Sequence, residues 1–150
     1  AFSTEGMVGY SLGKKDLKLF KTIVKNSFIL SSLTGLFISI IYFFINQYVI
    51  NLMSDIEEIR KLSASYVIWL ILIPFIASFC YQFDGIFIGT SQTKELRNAM
   101  IFSVFCYLLI SIILTNYLSN TGVWISLCLF MILRAFSLYF YLDRIYQRFN

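Results

Sequence analysis

The chain has 150 residues, of which 59% are hydrophobic and 13% charged, with a formal net charge of +4 and no histidine. A soluble domain carries about 25% charged residues, so this chain has too little charge to clothe a water-exposed globule of its size. Losing histidine removes the commonest general base and metal ligand, and with no Ser/His/Asp set and no Gly-rich phosphate loop the residues speak against an enzyme.

One proline and seven glycines exclude a low-complexity chain, while sixteen Phe and ten Tyr suit lipid-facing packing and interfacial belts. Cys80, Cys106 and Cys128 all lie in apolar stretches. An odd count without Cys-x-x-Cys spacing implies neither a disulfide framework nor a zinc site, so they read as small packing residues, and no cofactor is implied.

Taken in chain order, residues 1–13 read as the last part of a helix, ended by Gly13 and a lysine cluster. The segment is too short to span a bilayer, no signal-peptide pattern precedes it and the first residue is Ala1. These features lead us to expect the C-terminal fragment of a longer protein, a processed mature chain being the alternative. A bilayer core of about 30 Å takes about 20 apolar residues. Residues 26–54 and 62–83 are free of charge, as is 98–133. The last stretch is too long for one span and is broken by a turn-forming cluster over 115–122. The expected fold is therefore all-α, a polytopic transmembrane bundle with helices over about 1–13, 17–50, 60–91, 96–118 and 122–146.

Loop charges predict the orientation. Lys14, Lys15, Lys18, Lys21 and Lys25, then Lys94 and Arg97, then Arg144 and Arg148 share one side, against Arg60 and Lys61 among acids on the other. Cytoplasmic loops are rich in Lys and Arg, so the first side is expected inside, with a cytoplasmic C-terminus. The positive charge follows from this placement. It does not point to nucleic acid, because the basic residues sit at helix ends and not along one face.

Three ionisable residues fall within helices: Glu5, Asp84 and Arg134. An intramembrane charge costs at least a few kcal/mol, which marks each as a functional candidate. Each precedes a basic boundary residue (Lys14, Lys94 and Arg144) by nine or ten positions, so at 1.5 Å per residue all three are expected roughly 13–15 Å from that boundary. If they share a cavity, two carboxylates face one guanidinium. The acid without a partner then favours its protonated form, as a proton carrier or, with nearby oxygens, a Na⁺ ligand at Asp84. A plain Arg–carboxylate pair that fixes helix packing is the bland alternative.

Asp84 has Tyr81 and Gln82 beside it, offering a hydroxyl and an amide. Gly85 and Gly89, like Gly9 and Gly13, form small-x-x-x-small surfaces for close helix approach. Pro74 frees a backbone carbonyl, so its helix can bend.

These residues bring in a resemblance. The run Tyr81-Gln82-Phe83-Asp84-Gly85-Ile86-Phe87-Ile88-Gly89-Thr90, followed by Thr93-Lys94-Glu95-Leu96-Arg97-Asn98-Ala99-Met100, resembles the tenth helix and following loop of multidrug and toxic compound extrusion (MATE) transporters, nearest the DinF-like branch. Glu5-Gly6-Met7-Val8-Gly9-Tyr10-Ser11-Leu12-Gly13 is similar to the end of that family's eighth helix. Gly122-Val123-Trp124 with Phe130-Met131-Ile132-Leu133-Arg134 looks like the twelfth.

The resemblance implies part of the second six-helix lobe of a secondary-active exporter. Its partners would be the bilayer, the N-terminal lobe, a small amphipathic or cationic substrate, and H⁺ or Na⁺. It also implies a bacterial inner membrane, and it puts Asp84 where some branches hold a coupling cation. Two other readings compete with it. One is a lipid-linked saccharide flippase of the same superfamily, which would want more cationic residues facing its cavity. The other is a small non-transporting membrane subunit.

Overall fold

The computed structural model describes residues 1–149. Five α-helices follow one another, α1 (Phe2–Gly13), α2 (Leu17–Met53), α3 (Glu57–Gly89), α4 (Thr93–Leu118) and α5 (Asn120–Tyr146), and a short 3₁₀ turn (Gln147–Phe149) closes the described chain. No strand occurs among the described residues. The four helices from α2 onward are each long and apolar enough to cross a membrane. The 37 residues of α2 run about 55 Å, well beyond a hydrocarbon core of about 30 Å, so α2 reaches into the headgroup layer.

Helix ends follow from local chemistry. Asp16 caps α2, its carboxylate accepting from the Leu19 N–H at 2.9 Å. Ser54 turns to extended backbone and stops α2. Glu57 and Glu58 then open α3, where negative charge suits a helix N-terminus.

The turns α1–α2 and α3–α4 are built alike. In the first, the N–H groups of Lys15 and Asp16 return to the carbonyls of Leu12 and Ser11. In the second, those of Ser91 and Gln92 return to Ile88 and Phe87. Both are Schellman closures, and the left-handed residue is Lys15 (φ 52°) in one and Ser91 (φ 57°) in the other, with no glycine at either position. The α4–α5 hairpin is tighter still. The whole 115–122 cluster is helical except Ser119 (φ 51°), which alone makes the break. Gly122 allows this, because a Cβ there would collide with the Leu114 backbone.

The core sits at the lysine-bearing end. Val8, Phe20, Ile86, Phe87, Leu138 and Ile145 are fully buried there and belong to one cluster. Lipid tails are as apolar as these side chains, so close packing and dispersion, more than water exclusion, hold them together. Phe20 of α2 meets the rings of Tyr146 and Phe149 at 5.9 and 5.0 Å. Arg148 donates to the Thr90 carbonyl at 2.9 Å, and Arg144 pairs with Glu95 at 3.0 Å. The C-terminal end is thereby stitched to α2 and to the α3–α4 turn. Toward the opposite end α2 presents exposed aromatic surface, including Phe37, Phe43, Phe44 and Tyr48, while Tyr66 of α3 stacks on Trp124 of α5.

Candidate functional site

The α3 helix carries most of the site, and it contacts α1, α2, α4 and α5. On its α5 side Asp84 meets Arg134, with Nη2 2.8 Å from Oδ2. Both side chains are largely buried, at 14% and 13% exposure. The guanidinium fork could grip a carboxylate with two nitrogens, yet here it makes one contact. Arg134 Nε and Asp84 Oδ1 are buried and find no hydrogen-bond partner in the protein.

Gln82 lies two residues from Asp84, a rotation of about 200° on an α-helix, and so faces the other way. Its Oε1 accepts from the Thr4 hydroxyl of α1 at 2.8 Å, inside the protein. Tyr81 and Gln82 border a groove of about 780 Å³ between α1, α2 and α3. Ser31, Thr34 and Ser78 give that groove further hydroxyls, and the Ser31 hydroxyl donates to the Ser78 carbonyl at 3.1 Å. A separate cleft of about 380 Å³ opens between α3 and α5, lined by Phe75, Phe79, Phe83, Met131, Phe136 and Tyr139.

Glu5 does not join Asp84 and Arg134, and among the described residues it makes no salt bridge. Its backbone packs against Gly89, while Ala1 packs against Gly85. The two helices run parallel in that register, so Glu5 lies about five residues, or ~7 Å, farther along the bundle than Asp84. The expectation of equal depth is corrected accordingly. Lys14 follows α1 directly, whereas Lys94 stands beyond a turn in the next helix, so spacing to a lysine measures helix length and not depth.

The proposed packing glycines also divide. A Cβ on Gly9, Gly85 or Gly89 would press on the facing backbone, but one on Gly13 would meet nothing within 4 Å. Gly13 lies at the end of α1, beyond the reach of α3. Pro74 sits inside α3, which continues through it as one helix. The space beside it comes from Gly35 of α2, where a Cβ would stand 3.1 Å from the Pro74 carbonyl oxygen. Gly35, Thr4 and Ser31 carry no signal along the chain, because only the facing helix gives them meaning.

No group of three or more His, Cys, Asp or Glu side chains capable of holding a metal occurs among the described residues. The three cysteines are free.

An all-α bundle of four membrane-length helices, with one ion pair buried between two of them, defines a multi-pass membrane protein. The family model described as MatE matches residues 1–118, and the chain belongs to that family of membrane transport proteins. It is similar to the DNA damage-inducible protein F of Escherichia coli (strain K12), with 28% identity over 138 residues, 92% of this chain and 30% of that protein. The chain thus spans about 30% of the length of this curated relative. No solved structure matches it.

Proposed function

We propose that the chain forms part of the second lobe of a secondary-active exporter, which moves small amphipathic or cationic compounds outward against entering H⁺ or Na⁺. The observation that carries this reading is the incomplete Asp84–Arg134 pair. Asp84 keeps one buried oxygen free for a proton or a cation, and Arg134, which stays cationic throughout, is the counter-ion of the carboxylate while that oxygen is empty. Such a pair can alternate between two charge distributions without exposing a bare carboxylate to lipid. The aromatic cleft between α3 and α5 supports a cargo with an apolar body and a positive charge, since ring faces attract cations.

A saccharide-phosphate cargo fits less well, because Arg134 is already engaged by Asp84. The positive-inside bias supports a cytoplasmic position for Lys14, Lys94 and Arg144, and so for the C-terminus. The bacterial relative supports an inner-membrane location. Tyr81 and Gln82 belong in this reading to the polar groove between α1, α2 and α3, with Glu5 outside both surfaces.

The test is Asp84→Asn in the full-length protein, reconstituted in vesicles with an imposed proton or sodium gradient. The reading expects insertion to survive and ion-coupled efflux to fall at least about tenfold, in line with the loss of a required protonation step. Efflux at the wild-type rate in that variant rules out Asp84 as the coupling group.

A further inference from the structure

We propose that the first three turns of α2 form a binding site for the headgroup of an anionic phospholipid. Lys18, Lys21 and Lys25 are spaced by three and four residues, so their side chains leave α2 within an arc of about 60°. All three are exposed. The same face continues as Ile29, Leu33 and Leu36, also exposed, while the opposite face carries the buried Phe20 and Ile23. One continuous stripe therefore changes from cationic to apolar at Lys25. That matches a lipid lying along the helix, with its acyl chains on Ile29, Leu33 and Leu36 and its phosphate at the lysines.

Two features show that these charges are free for a ligand. None of the three pairs with a carboxylate among the described residues. The nearest acid in sequence, Asp16, is turned back to cap the helix. Two others add to the site: the N-terminus of α2 favours negative charge at this end, and Lys21 Nζ stands 5.6 Å from the centre of the Tyr146 ring. Tyr146 is itself packed on Phe20, which gives the lysine a fixed platform. Lys14 and Lys15, exposed in the preceding turn, extend the positive rim. The site depends on the chain lying in a membrane and not on the transport reading, so either can fail alone.

Native mass spectrometry of the purified full-length protein tests it, using mixed micelles that offer phosphatidylglycerol and phosphatidylcholine together. The wild type is expected to retain phosphatidylglycerol on the order of 100-fold over phosphatidylcholine at low salt, about fivefold for each of the three lysines. Each lysine near a bilayer surface contributes roughly fivefold, so Lys18→Gln/Lys21→Gln/Lys25→Gln is expected to lose on the order of 100-fold. Arginine at the same three positions should restore retention, and Lys94→Gln/Arg97→Gln should leave it unchanged. Equal retention of the two lipids by the wild type overturns the proposal, as does wild-type retention by the triple glutamine variant. Inorganic phosphate that displaces the lipid at comparable concentration shows a plain anion site and overturns the assignment to a lipid. If the triple variant does not insert, the three single variants carry the test. Each is expected to lose roughly fivefold, and three singles at wild-type retention overturn it.

Discussion

Arg134 holds Asp84 by one contact, Nη2 to Oδ2 at 2.8 Å, while Nε and Oδ1 stay buried and unpartnered. The pair is therefore strong enough to neutralise a carboxylate inside a membrane helix, yet its hydrogen-bonding capacity is only half used. A purely structural pair gains from using both nitrogens of the fork.

Removing one member should cost more than removing both. Arg134→Leu strands a buried carboxylate and is expected to destabilise the bundle by about 3–5 kcal/mol. Asp84→Leu/Arg134→Leu, which leaves no charge behind, should lie within about 1–2 kcal/mol of the wild type. Thermal unfolding of the detergent-solubilised variants compares them directly. A double variant less stable than Arg134→Leu contradicts the burial argument.

The close approach of α1 to α3 depends on Gly89, whose missing side chain admits the Glu5 backbone. Gly89→Val has to push the helices apart and is expected to cost about 1–3 kcal/mol. Gly6→Ala is the control, since a Cβ there meets nothing within 4 Å. It should be neutral or stabilising by up to about 1 kcal/mol, as for any glycine inside a helix. The two melting temperatures should move in opposite directions or differ clearly in size.

Phe20 is fully buried between α2 and the C-terminal rings of Tyr146 and Phe149. Phe20→Ala opens a cavity at the one end of the bundle that has a dense core, and the expected loss is about 3–5 kcal/mol. Phe43→Ala, on the exposed outer half of α2, should change stability by less than about 0.5 kcal/mol. Equal melting temperatures for the two variants would contradict this account of where the core lies.

The proposed orientation is open to a labelling test in a cysteine-free background. Ser54→Cys and Ser119→Cys should react with a membrane-impermeant maleimide in intact cells. Lys15→Cys and Ser91→Cys, in the two Schellman turns, should react only after permeabilisation. The reverse pattern inverts the topology and leaves the fold untouched.

Much of the architecture is legible along the chain, because a membrane imposes it locally. Charge-free stretches of sufficient length have to become spanning helices whatever they pack against, and the four long helices correspond to them. Helix ends are less legible. α3 begins at Glu57 and α4 at Thr93, since acidic and polar first turns continue a helix as readily as apolar ones, while α3 ends at Gly89 where Ser91 turns left-handed.

The candidate site divides in the same way. That Asp84 and Arg134 are unusual follows from sequence, because any charge inside a span carries a desolvation cost that must be met somewhere. Which partner meets it depends on distances between helices. Tertiary structure joined Asp84 to Arg134, kept Glu5 about 7 Å away along the axis, and turned Gln82 to Thr4 on the opposite face. The register of α1 against α3 rests on glycine backbones in contact. No spacing along a single helix records where that contact falls, since it is a property of two surfaces fitted together. The sequence by itself therefore determined the spans and which charges fall inside helices. Helix packing alone decided which of those charges met.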